Sequence, residues 1–240
     1  RVLFRSVCIR AARTVRLCEA MRQLALDITA PPAPSFDNFV VGRNAEALTH
    51  IRAAVAGGAE RFIYVWGESG SGRTHLLKAA ATHANSQYVA CAEHSIFEDV
   101  APLLAADDVG NLGGEAQVAL FHRYNILRDR GGSLIASGGV PPVQLTLRAD
   151  LLTRLSWGLV IQLHALSDEE KSQALTQRAR ERGFDLPAEV CAYLLAHTPR
   201  DMGALFATLD ALDRFSLETK RAVTVPLLRQ VVSNDFKKLN

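Results

Sequence analysis

A chain of 240 residues, 48% hydrophobic and 22% charged, can bury a sizeable core as one large domain or two smaller ones. Its formal net charge of +2 conceals an asymmetry: residues 1–20 hold five Arg and one Glu, a contribution of +4, which leaves the other 220 residues at −2. The body is therefore not a basic nucleic-acid-binding surface, and no run approaches the roughly 18 consecutive apolar residues of a membrane span.

The opening RVLFRSVCIRAARTVRLCEA is Arg-rich and nearly acid-free. It reads as a transit-type presequence or as upstream or fused sequence ahead of a start at Met21; we take the second reading and leave residues 1–20 out of the fold. Two of the four cysteines, Cys8 and Cys18, lie there, and Cys91 and Cys191 are far apart with no CxxC or His spacing nearby. Neither a disulfide framework nor a zinc site follows, and a reducing cytoplasm fits.

Residues 21–35 hold the short segment RQLALDI and the start of TAPPAPSFDNF, whose three prolines read as an extended linker. The compact part begins near Phe36. AEALTHIRAAVAGG reads as a helix stopped by Gly57-Gly58, and FIYVW (62–66) as a short apolar strand. RTHLLKAAATHA is helical, QYVACA a strand, APLLAAD (101–107) a buried strand, and GEAQVALFHRYNILRDR a helix ending at Gly131-Gly132. SLIAS (133–137) and LVIQLH (159–164) supply two more strands.

Such alternation, with strands too continuous to have a wet face, predicts an α/β domain over 36–166: a parallel sheet with helices on both faces. From Ser167 the pattern changes. SDEEKSQALTQRARERG opens with a capping box, Ser167 with Glu170, and three more helical segments follow, with Leu205, Leu209 and Leu212 spaced for one buried face. Residues 167–240 are expected to form a small all-helical domain.

Between FIYVW and its following helix lies GESGSGRTH: Gly67, Glu68, Ser69, Gly70, Ser71, Gly72, Arg73, Thr74 and His75. It follows the phosphate-binding pattern of Gly, four residues and Gly-Lys-Ser/Thr, except that Arg73 replaces the lysine. Glycines let the backbone wrap phosphates, and amide groups with the helix N-terminus supply positive potential. Thr74 would place its hydroxyl on Mg²⁺. Arginine keeps the charge and can grip phosphate oxygens with a planar fork, but it is not the compact ammonium that sits between β- and γ-phosphates.

About 33 residues after Thr74, Asp107 and Asp108 follow a buried strand, at the end where ligands bind such sheets. Asp107 suits Mg²⁺ through its water shell, and Asp108 would orient an attacking water. Ser137 fits a hydroxyl near the γ-phosphate and equally a turn serine before Gly-Gly. Taken alone, Arg154 and Arg200 read as solvated surface charges.

Together these segments resemble the DnaA/Hda branch of AAA+ ATPases over residues 21–240. GESGSGRTHLL is similar to the Walker A loop, LLAADD to Walker B, and IASGGVPP to the sensor I strand. LLTRLSWGL is similar to box VII, LSDEEKSQAL opens the lid, and TPRDMGALFATLDALDR carries the sensor II position at Arg200. The resemblance implies that ADP or ATP with Mg²⁺ is the ligand and that Arg154 acts as an arginine finger in trans. In MRQLALDI, Gln23, Leu24, Leu26 and Ile28 are similar to the peptide by which replication proteins dock into the β sliding clamp of DNA polymerase III, although Asp27 stands where proline is common.

The implied role is a cytoplasmic regulator with at most weak intrinsic ATPase activity. It would sit on the DNA-loaded clamp, nucleoid-associated through it, and stimulate ATP hydrolysis by DnaA, preventing re-initiation. The expected partners are DnaA, the clamp and further copies of this chain, with DNA reached only through the clamp and no membrane. The rival is a DnaA-like initiator or helicase loader that hydrolyses ATP itself. An initiator would need a DNA-reading domain after the helical lid, whereas these 240 residues end at Leu239-Asn240, and the regulator is the expectation.

Overall fold

The computed structural model describes residues 33–83, 85–98, 101–199 and 201–238, the last stretch by backbone alone from residue 233. Five parallel strands form one sheet: β1 (Phe62–Trp66), β2 (Ser86–Ala90), β3 (Leu103–Asp107), β4 (Ser133–Gly138) and β5 (Leu159–Gln162), in the spatial order β2-β3-β4-β1-β5. Helices α1 (Ala45–Val55) and α2 (Arg73–Ala80) lie on one face, and α3 (Gly114–Asp129) and α4 (Ala149–Trp157) on the other.

The two-residue period of the strands builds both cores. Ile63, Val65, Leu103, Ala105 and Ile135 pack with Ile51, Leu76 and Leu77, whereas Tyr64, Leu104, Ala106, Leu134 and Ala136 pack with Leu120, Leu127 and Leu151. Every residue of β3 and β4 is buried. The expectation of strands with no wet face holds there but not at the sheet edges, where β2 and β5 are partly exposed. Strand β3 starts at Leu103 rather than Ala101, β2 stops at Ala90, and α2 stops at Ala80 with Thr82 bonding back to the Ala79 carbonyl.

Beyond β5, α5 (Asp168–Glu181), α6 (Ala188–His197), α7 (Met202–Thr219) and α8 (Val225–Lys238) enclose a third core. Leu175, Leu194, Leu205, Leu209, Leu212 and Leu228 are all fully buried in it. The capping box forms as its sequence dictates: Ser167 Oγ accepts from the Glu170 amide at 3.2 Å and Glu170 accepts from the Ser167 amide at 2.7 Å.

This topology leaves β1 between β4 and β5, so the loop after it emerges at the crevice beyond the strand ends. The Gly67 amide bonds the Gly138 carbonyl at 3.3 Å, and the Leu163 amide bonds the Trp66 carbonyl at 2.6 Å. A Cβ on Gly67 would lie 2.3 Å from the Leu163 carbonyl oxygen. Only glycine lets the loop leave the sheet here.

Candidate functional site

The loop from Gly67 to Gly72 turns onto α2 through Gly72, whose φ of 95° lies in the left-handed region. A Cβ there would also meet the Phe39 ring at 2.7 Å, so the glycine lets the segment around Phe39 lie against the loop. His75 fastens the same junction. Its Nε2 donates to the Ser35 carbonyl at 2.9 Å, and its ring centroid is 5.5 Å from that of Phe39.

Burial lowers the His75 pKa from 6.5, only partly opposed by its bond to Ser35. The depressed value means that the neutral ring stabilises the fold, an effect present above the ordinary histidine pKa and lost as pH falls through the lower folded one. Acidification from about pH 7.5 to about pH 5 is therefore expected to lower Tm more in the wild type than in His75→Gln, whose amide can still donate to Ser35. Equal slopes in calorimetry would assign the acid sensitivity elsewhere.

A cavity of about 570 Å³ opens over the loop, within the range of small-molecule sites. Ser69 to His75 form its floor, Pro34 and Asn38 to Val40 one wall, and Arg178, Met202, Phe206 and Asp210 the side contributed by the C-terminal helices. Thr74 is exposed at this floor, and the buried Ser71 Oγ has no protein partner. Free amides at the start of α2, an orphaned hydroxyl and glycines that no other residue can replace make a phosphate cradle in chemical terms.

The two aspartates separate sharply. Asp107 is buried, with Oδ1 accepting from Ser137 Oγ at 2.5 Å and Oδ2 from the Tyr88 hydroxyl at 2.9 Å. Ser137 is also buried, and its oxygen accepts from the Asp108 amide at 2.8 Å. The Ser137 hydroxyl thus orients the acidic pair, and neither it nor Asp107 lines the cavity. Asp108 does, and there it pairs with Arg73 through a short ion pair between Nη1 and Oδ1. Its left-handed backbone, φ 54° and ψ 58°, is where the two carboxylates part. Burial and the Asp107 bond raise the Tyr88 pKa, and burial with the nearby aspartate charges pushes the Cys91 thiol up to about 12. Both keep their protons at neutral pH.

The sequence reading missed the opposite wall. Arg178 forks onto Asp210 at 3.1 and 2.7 Å and stacks 4.7 Å from the Phe206 centroid, while Arg182 bonds Asp210 at 3.1 Å and Asp213 at 2.8 Å. The available signal was charge spacing, Arg178 and Arg182 at i and i+4 against Asp210 and Asp213 at i and i+3.

Arg154 ends up in the last turn of α4, away from the residues that line the cavity. Its guanidinium carbon lies 4.2 Å from the Trp157 ring centroid, 5.7 Å from Phe121 and 5.8 Å from Tyr124. Arg200, Gln23, Leu24, Leu26 and Ile28 lie outside the described residues. Among the described residues, no helix is long and apolar enough to cross a membrane, and no three His, Cys, Asp or Glu side chains converge on a metal site of their own.

Comparison with known proteins matches residues 32–94 to the bacterial DnaA ATPase domain and residues 168–232 to the Hda lid domain. Among solved structures, domain III of the Thermotoga maritima replication initiation protein DnaA superposes with a TM-score of 0.68 at 21% identity, covering 86% of this chain and 98% of that one. AMPPCP-bound DnaA from Aquifex aeolicus gives 0.62 at 22% identity, over 76% of this chain and 65% of that longer one. The Thermotoga maritima RuvB Holliday junction branch migration motor gives 0.61 at 13% identity, over 83% and 71%.

Proposed function

Because the chain belongs to the DnaA/Hda branch of AAA+ ATPases, we propose that it regulates replication initiation by acting on a neighbouring DnaA molecule. In this reading it holds ADP or ATP in its own cavity and docks on the β sliding clamp through Gln23, Leu24, Leu26 and Ile28. From there it extends Arg154 toward the nucleotide of DnaA. The observation that carries the reading is Arg154 itself, a guanidinium with no carboxylate partner among the described residues and no place in the chain's own cavity.

The chain's own ligand would be held by the loop amides, Ser71, Arg73 and Thr74, with the base end toward Phe39 and the C-terminal helices. Magnesium would arrive with the phosphates, since Asp107 offers only a carboxylate already engaged by two donors and suited to contact through water. In trans, a positive charge brought against the γ-phosphoryl group stabilises the charge that develops there as the bond to the leaving oxygen lengthens. Clamp docking would localise the protein to cytoplasmic, DNA-loaded clamps and limit its action to the time after replication has begun.

The direct test measures ATP hydrolysis by DnaA with and without this protein, adenine nucleotide and DNA-loaded clamp. Stimulation that requires the clamp supports the reading. Brisk clamp-independent hydrolysis by the isolated chain would replace it with a self-hydrolysing initiator or loader.

Docking has its own test. Changing Gln23 and Leu24 together to Ala is expected to weaken clamp binding by about 2 kcal/mol, roughly 30-fold, because buried anchor side chains dominate such interfaces. Tm should not move, since the two residues precede the segment whose three prolines read as a linker. Unchanged affinity by surface plasmon resonance would remove these residues from the interface.

A further inference from the structure

Arg154 and Trp157 stand three residues apart on α4, and Phe121 and Tyr124 stand three apart on α3, so each pair shares a helix face. The rings surround the guanidinium at 4.2 Å (Trp157), 5.7 Å (Phe121) and 5.8 Å (Tyr124). An arginine in such a place ordinarily takes a carboxylate. The carboxylate one turn earlier, Asp150, is occupied by Arg148 at 3.2 and 2.9 Å and by the Leu151 amide at 2.8 Å. The Arg154 Nε is buried and makes no hydrogen bond. The charge is thus held by aromatic faces, and no hydrogen bond or ion pair engages its terminal Nη groups among the described residues.

Trp157 is the member that packing does not explain. Tyr124 is buried in the core beneath, whereas Trp157 is 65% exposed and has the shortest approach to the guanidinium. A guanidinium stacked on rings is gripped by its flat surface and keeps its edge for oxyanions. Confinement to one rotamer also fixes where that edge lies, and a misplacement of about 1 Å near a reacting centre can lower a rate on the order of 10²-fold. We propose that Trp157, backed by Phe121 and Tyr124, is a positioning residue that holds Arg154 where it can stabilise, in trans, the charge developing on a γ-phosphoryl group; this rests on the finger reading above.

The test uses the full chain with DnaA, nucleotide and DNA-loaded clamp, and titrates it to saturation. Trp157→Ala and Trp157→Leu are expected to lower the maximal stimulated rate at least about tenfold with little change in half-saturating concentration, while Trp157→Phe keeps most of it. Leucine retains apolar bulk without a π face, so its failure and the rescue by phenylalanine isolate the ring. Thermal unfolding confirms that each variant is folded. If Arg154→Ala abolishes stimulation but Trp157→Leu reaches the wild-type maximum, or shifts only the half-saturating concentration, the indole is contact surface and the proposal is overturned. If Arg154→Ala stimulates fully, the finger reading itself fails.

Discussion

Replacing Arg154 by alanine is expected to remove on the order of 10³-fold of the stimulated hydrolysis, the scale of a trans arginine finger. Nucleotide affinity and clamp affinity should stay near wild type, because Arg154 is not among the cavity-lining residues and is remote in sequence from the proposed clamp-docking residues 23–28. The variant should also fold, since the guanidinium makes no ion pair among the described residues that alanine would leave unbalanced. Arg154→Lys should restore little. An ammonium keeps the charge but loses both the flat surface that the rings grip and the fork that meets two oxygens. Stimulation by Arg154→Ala equal to wild type, in a single-turnover assay with DnaA loaded with ATP, would reduce Arg154 to a surface charge.

What the sequence made legible were features governed by neighbours in the chain. Ser167 and Glu170 reciprocate three residues apart, and the phosphate-type loop sits between a strand and a helix, so local rules sufficed for both. Edge exposure was not legible: β5 and the interior β1 are both short apolar runs, and only the order β2-β3-β4-β1-β5 makes one of them an edge. The site was legible as a loop and an acidic pair but not as a geometry. Asp107 and Asp108 are adjacent and chemically identical, yet one left-handed residue buries the first against Ser137 and turns the second onto Arg73. The Arg178–Asp210 pair joins positions 32 residues apart through the docking of α5 on α7, and the rings around Arg154 meet only because α3 and α4 pack together. Matched charge spacing on α5 and α7 hints at such a pair, but nothing local says which helices meet.

The Arg73–Asp108 pair leads to two effects of opposite sign. Arg73→Ala is expected to weaken nucleotide binding on the order of 10²-fold, since it removes a charge-assisted grip on phosphate oxygens from the floor of the cavity. Asp108→Asn is expected to tighten ADP binding. The Arg73 side chain is 13% exposed and that of Asp108 43%, so their pair is screened by solvent and contributes about 0.2–1 kcal/mol, an amount that corresponds to a gain of up to roughly fivefold once the carboxylate no longer competes. The amide still fits the left-handed turn, which Asn tolerates well. Calorimetric titration with Mg²⁺ and again with chelator separates the possibilities. Competition for the guanidinium predicts tightening under both conditions, whereas a carboxylate that helps to hold Mg²⁺ predicts weakening only when the metal is present. Weakening with chelator as well would mean that Asp108 orders the loop, and that Arg73 reaches the phosphates with its ion pair intact. Tightening under both would mean that each nucleotide entering the cavity displaces a carboxylate from Arg73. Asp108, proposed to orient an attacking water, would then be freed only as the loop engages phosphate, which would couple its availability to occupancy of the cavity.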